Sequence, residues 1–167
     1  KLSKQKETRA KVRSKITGAD EDYLLREYAD TTRILIASCS KWLTAALAMT
    51  YIDENKFRLN DSIGKFLPIM TKYGKGGIRV WHCLTHQTGI NAGGLREMLE
   101  GMKSVKSMAE AMDKIANAPM EGTPGKTFHY SNAGLQIIAA IIEKVSEKDF
   151  ETAFHERIAE PLEMKNT

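Results

Sequence analysis

The chain is poor in cysteine and in uninterrupted apolar sequence. It has 2 cysteines among 167 residues. Both, Cys39 and Cys83, have apolar neighbours, so we expect buried, reduced thiols rather than a disulfide. No segment approaches the ~18 consecutive apolar residues that a membrane-spanning helix needs, so we expect no membrane span. The first six residues contain no apolar stretch of the signal-peptide kind, so we expect no signal peptide within this sequence.

Patterns for metal and phosphate binding are incomplete. His82 and His86 have the spacing to share one helix face and bind zinc, but Cys83 stands where His-Glu-x-x-His has its glutamate, and no third ligand is evident. The glycines at 74, 76 and 77 lack the spacing of a phosphate-binding loop. We therefore expect no metal ion and no cofactor.

Positive charge is concentrated at the start of the chain. Residues 1–16 contain seven Lys and Arg residues against the single acid Glu7, although the whole chain carries only +4. Such an arm could contact nucleic acid or an anionic surface. It has no aromatic side chain for base stacking, so we expect a solvated helix or tail and no nucleic-acid partner.

Ser38 and Lys41 form the most informative motif, Ser-x-x-Lys, at the entrance to an apolar helix. Residues three apart share a helix face, so the Lys41 amine can reach the Ser38 hydroxyl. A serine hydroxyl becomes a good nucleophile when a nearby base removes its proton, and a lysine of lowered pKa can serve. The alternatives are an N-cap serine beside a solvated lysine, or Cys39 as the nucleophile, which requires a low-pKa thiolate.

Tyr130 and Asn132 form a second candidate pair at a junction between an extended segment and a helix. A phenol of lowered pKa can accept a proton from a serine or deliver one to a leaving group. An amide beside it can donate to a substrate carbonyl while its oxygen orients a lysine. The structural alternatives are a half-buried aromatic residue with a solvated hydroxyl for Tyr130 and a helix N-cap for Asn132.

Apolar patterning predicts a mostly helical chain. It places helices after Ser38, over residues 107–117, from Asn132 onward and over residues 147–159. The helix after Ser38 is apolar nearly all round, which predicts that it is buried.

These motifs together resemble the penicillin-recognising serine hydrolases, and the Tyr-x-Asn form is similar to the class C β-lactamases with their esterase and D-peptidase relatives. Three further segments agree with the family in order along the chain: residues 59–68, 78–90 and 158–167. The resemblance implies an α+β, β-lactamase/transpeptidase-like fold, of which this chain would contain mainly the helical half.

The resemblance also implies a role for each motif residue. Ser38 would attack a carbonyl and form an acyl-enzyme, Lys41 would help to deprotonate it, and Tyr130 would act as partner base and then as acid to the leaving group. Asn132 would bind the substrate carbonyl and steady Lys41, and the Ser38 backbone N–H would form one arm of the oxyanion hole. The substrate would be a β-lactam, a D-amino-acid peptide or a small ester. Whether Lys41 or Tyr130 is the true base stays open.

Departures from the family limit these expectations. A third motif of the Lys-Thr-Gly kind, expected on a sheet strand after Tyr130, is absent, so we expect little turnover from this chain alone. Residues 1–30 read as a basic segment that matches poorly, and residues 31–167 as a partial hydrolase domain. Residues 92–102 lie where relatives flank the active-site mouth.

A periplasmic, extracellular or membrane-tethered location follows from the resemblance alone, and the oligomeric state is open. The alternative function is a non-catalytic relative or fragment that serves as a binding or assembly module.

Overall fold

The computed structural model describes residues 2–17, 36–91, 105–165 and 167. Helix α1 spans Leu2–Thr17 and belongs to one compact unit, whereas residues 36–165 belong to another. The predicted active-site flank at 92–102 lies outside the described residues. No described helix is both long enough and apolar enough to cross a membrane.

The second unit is built from short and medium helices. A 3-10 turn over Ala37–Cys39 leads into α2 (Ser40–Asp53), and a second 3-10 turn covers Ile63–Lys65. The further helices, in chain order, are α3 (Pro68–Lys72), α4 (Val80–Leu84), α5 (Met108–Asn117), α6 (Ala133–Ser146) and α7 (Phe150–Phe154), which continues as a π-helical turn over His155–Ala159. Strand pairing among the described residues is limited to two antiparallel bridges, Ser62 with Arg79 and Ile90 with Met120.

Helix α6 is the central element of the core. It packs against α2, α4, α5 and α7, and four of its isoleucines are fully buried: Ile137, Ile138, Ile141 and Ile142. Gly134 allows the start of α6 to approach α4, because a Cβ atom there would lie 2.3 Å from the Cys83 carbonyl oxygen. This approach places residues 130–132 beside the end of α4.

Two expectations about helices need correction. Helix α2 is not buried all round, since the Trp42 side chain is 65% exposed and only one face, with Leu43, Leu47, Ala48 and Tyr51, enters the core. The helix expected from residue 147 begins at Phe150 instead. Glu147 ends α6 in the left-handed conformation (φ 57°), and the Asp149 carboxylate then accepts the Thr152 N–H as an N-cap.

Candidate active site

Ser38 and Lys41 meet at the start of α2. The Lys41 Nζ lies 3.3 Å from the Ser38 Oγ as a hydrogen-bond donor. The 3-10 turn that contains Ser38 is closed by the Cys39 N–H, which donates to the Ile36 carbonyl over 3.0 Å. The preceding Ala37 has φ 46°, a left-handed conformation that is rare for a residue with a Cβ atom. The nucleophile candidate therefore stands on a tight and conformationally unusual turn.

Backbone pairing of two segments distant in sequence positions Tyr130 beside Ser38 and Lys41. The Asn91 N–H donates to the Pro119 carbonyl, the Glu121 N–H to Gly89 and the Gly125 N–H to Gln87. The His129 N–H then donates to the His86 carbonyl over 2.9 Å. Residues 119–129 thus run back along residues 86–91, and the pairing delivers Tyr130 to the turn at Ser38.

The Tyr130 side chain interacts with both motif residues. The Lys41 Nζ lies 5.1 Å from the centroid of its ring. Hydrogen bonds from Ser38 and then from Lys41, together with the Lys41 charge, lower the pKa of the Tyr130 phenol below its usual value of 10.0 against the opposing effect of burial. Ser38, Lys41 and Tyr130 therefore lie together in one cluster.

His86 is a member of this cluster that sequence reasoning did not assign to the site. Sequence reasoning considered it as a zinc ligand, whereas the structure packs its ring against Tyr130 at a tilt of 40°, with 4.5 Å between ring centroids. The sequence signal that could have related His86 to the site is its position, because residues 86–90 leave α4 directly after its last turn.

Asn132 stands apart from the cluster. It precedes α6 as the N-cap residue, but its side chain does not cap the helix. Among the described residues, no hydrogen bond joins its amide to Ser38, Lys41 or Tyr130. Its predicted role as a substrate-binding amide stays a prediction.

The cluster is open to solvent. Ser38 is exposed, Tyr130 is 49% exposed, and the neighbouring Phe128 is 67% exposed. The prediction that both cysteines are buried is wrong for Cys39, which is exposed on the 3-10 turn because the turn projects it away from the core. Cys83 is buried and burial raises the pKa of its thiol. Both thiols are free.

The two histidines considered for zinc each accept a backbone N–H. The His82 Nδ1 accepts the Arg79 N–H over 3.1 Å, and the His86 Nδ1 accepts the Ser131 N–H over 3.3 Å. His82 is buried, and burial followed by the Arg79 charge lowers its pKa. Within residues 36–91 and 105–165, no group of three His, Cys, Asp or Glu side chains is arranged to hold a metal ion.

The arrangement can perform proton transfer at a nucleophilic hydroxyl. The Ser38 oxygen has two potential proton acceptors within reach, an amine and a phenol of lowered pKa. Because the turn is exposed, a substrate carbonyl can approach the hydroxyl from solvent.

Known proteins are similar to this chain in sequence and in fold. A teichoic acid D-alanine hydrolase of Staphylococcus aureus is 26% identical over 136 residues, which cover 81% of this chain and 32% of the relative. A solved structure from Bacteroides dorei DSM 17855, assigned as a beta-lactamase, matches 83% of this chain and 40% of its own with a TM-score of 0.74 and 28% identity. A D-stereospecific amidohydrolase from Streptomyces sp. matches 79% of this chain and 43% of its own with a TM-score of 0.67 and 25% identity.

The chain spans about a third of the length of the curated staphylococcal relative. The structural matches confirm the predicted fold class, β-lactamase/transpeptidase-like with mainly its helical half present. The Beta-lactamase family model matches residues 19–167. The chain therefore belongs to the Beta-lactamase family.

Proposed function

We propose that this chain carries the nucleophile and the proton-transfer pair of a serine hydrolase that works through a Ser38 acyl-enzyme. One observation carries the proposal: the Lys41 Nζ lies 3.3 Å from the Ser38 Oγ and 5.1 Å from the centroid of the Tyr130 ring. The hydrolase names of the staphylococcal and Streptomyces relatives support the same class of reaction.

In the proposed reaction, the Ser38 Oγ attacks the substrate carbonyl carbon and its proton passes to the Lys41–Tyr130 pair. The carbonyl oxygen takes the displaced electron pair and the tetrahedral intermediate then collapses. The bond to the leaving group breaks, and the pair returns the proton to that group, which leaves an acyl ester on Ser38. In the second half-reaction, water attacks the carbonyl carbon of this ester and its proton passes to the pair. The bond between the acyl carbon and the Ser38 Oγ then breaks, the pair returns the proton to Oγ, and the acyl group leaves as a carboxylic acid.

The oxyanion formed in this step needs hydrogen-bond donors. We assign one donor to the Ser38 backbone N–H, and loss of a single oxyanion-hole donor costs roughly 100- to 1,000-fold in kcat. We therefore expect acylation by activated acyl donors and slow turnover of unactivated ones.

We propose a D-amino-acyl ester or amide as the substrate class, ahead of a β-lactam or a simple ester. Two relatives act, by their names, on D-alanine or with D-stereospecificity. The p-nitrophenyl esters of D-alanine and L-alanine provide a matched pair of probes, because they differ only at one stereocentre. We expect faster release of p-nitrophenol from the D ester, and equal rates would contradict the assignment of substrate class.

Intact-mass spectrometry tests the acyl-enzyme itself. The folded chain is incubated with a penicillin and with each alanine ester, and the Ser38→Ala and Ser40→Ala variants are treated in parallel. Ser40 is the matched control, since it is an exposed serine directly after the turn, and its Oγ donates to the Ala37 carbonyl. We expect a single adduct in the wild type and in Ser40→Ala and none in Ser38→Ala. A folded wild-type chain without an adduct would favour the binding or assembly module.

A further inference from the structure

The residues on both sides of Tyr130 are attached to His86. The His129 N–H donates to the His86 carbonyl over 2.9 Å. The Ser131 N–H donates to the His86 Nδ1 over 3.3 Å. One residue therefore receives the backbone bonds that precede and follow Tyr130, and the tyrosine is held between them.

The His86 ring also contacts the Tyr130 ring directly. The two centroids are 4.5 Å apart with an interplanar angle of 40°. The Phe128 ring makes a T-shaped contact with the same imidazole, with 6.0 Å between centroids and 81° between the ring planes. His86 thus contacts both the backbone on either side of Tyr130 and the Tyr130 ring itself.

The backbone conformation of His86 allows it to make both sets of contacts. Its φ is 58°, so the chain turns through the left-handed region directly after α4. Histidine tolerates that region better than most residues with a Cβ atom. Its Nδ1 accepts a hydrogen bond and so carries no proton, which leaves the ring neutral, with its N–H at Nε2.

We propose that His86 is the positioning residue that holds the Tyr130 phenol against Ser38 and Lys41. This inference rests on the proposed function and adds a residue that acts through Tyr130 without touching the substrate. Loss of the imidazole would leave the bond to the His86 carbonyl in place and remove both the Ser131 bond and the ring contact. Tyr130 would then sample positions away from Ser38.

Two variants keep the left-handed turn while removing the ring. Asparagine and glycine both tolerate positive φ, so His86→Asn and His86→Gly are designed to fold. His155→Asn is the matched control, because His155 is an exposed histidine on the π-helical turn. Thermal unfolding monitored by circular dichroism verifies that each variant is folded.

The first readout is independent of turnover. NMR titration of ¹³C-labelled tyrosine, with the Tyr130 signal assigned through Tyr130→Phe, reports the pKa and ring environment of the phenol. We expect the Tyr130 pKa to rise towards its usual value in folded His86→Asn and His86→Gly, with a changed ring shift, and to stay unchanged in His155→Asn. An unchanged Tyr130 titration in both folded His86 variants would overturn the proposal.

The second readout is the rate of adduct formation on Ser38. Misplacement of a reacting group by about 1 Å costs up to roughly 100-fold in rate, so we expect a 10- to 100-fold slower acylation in both His86 variants. Added imidazole should restore part of the rate in His86→Gly, since it can refill the vacated site. Acylation of both His86 variants at the rate of the wild-type chain would overturn the proposal. Absence of any adduct on the wild-type chain would instead overturn the proposed function, and the NMR titration alone would then test His86.

Discussion

Gly134→Ala tests whether the close approach of α4 and α6 builds the site. A new Cβ would lie 2.3 Å from the Cys83 carbonyl oxygen. A comfortable contact needs about 3.2 Å, so the helices must separate by about 0.9 Å in a close-packed interior. Overpacking of this kind costs about 1–3 kcal/mol, and alanine recovers up to about 1 kcal/mol through its higher helix propensity.

We expect Gly134→Ala to lower the free energy of unfolding by about 1–2 kcal/mol, which corresponds to a fall in Tm of about 3–6 °C for a domain of this size. Acylation of Ser38 should slow as well, because Tyr130 lies just before the displaced helix. Gly77→Ala is the control, since a Cβ there meets no heavy atom within 4 Å, and we expect an unchanged or slightly higher Tm. A Gly134→Ala variant that melts at or above the Tm of Gly77→Ala would refute the reasoning.

Three further predictions concern stability. Below about pH 6.5 the free energy of unfolding should fall. Burial lowers the pKa of His82 in the folded state, so its imidazole takes up a proton more readily once the chain is unfolded. A free energy of unfolding from urea denaturation that stays constant from pH 5 to 7.5 would contradict this. Arg157→Lys should lower Tm more than Glu54→Gln, because the guanidinium both pairs with Glu54 and stacks on Tyr51, 3.9 Å from its centroid; equal losses would show that the stacking contributes nothing. Lys75→Met should lower the free energy of unfolding by about 1–2 kcal/mol, since the buried Lys75 Nζ donates to a backbone carbonyl at the end of α5 over 2.5 Å. An unchanged free energy of unfolding would show that this hydrogen bond does not stabilise the fold.

Local spacing predicted the first half of the site. Ser38 and Lys41 are three residues apart at a helix start, and helical geometry alone brings their side chains together. The meeting with Tyr130 depends on the pairing of residues 86–91 with 119–129, a non-local contact that periodicity does not encode. Only the resemblance to the family related Tyr130 to Ser38 before the structure was known.

The missed features share a physical cause. The position of His86 depends on its left-handed φ, and the exposure of Cys39 depends on a 3-10 turn. Both are backbone conformations that hydrophobic patterning does not report. Patterning also placed the start of α7 too early, because it did not identify the Asp149 cap that sets the first residue of the helix.

The most direct test of the central claim is to locate the acyl group within the tryptic peptide Ile34–Lys41. This peptide contains three neighbouring nucleophiles, Ser38, Cys39 and Ser40. After reaction of the folded chain with the p-nitrophenyl ester of D-alanine and acid quenching, tandem mass spectrometry reports which residue carries the added mass. Our account predicts the D-alanyl group on Ser38, and an acyl group on Cys39 or Ser40, or a folded chain that carries none, would contradict it.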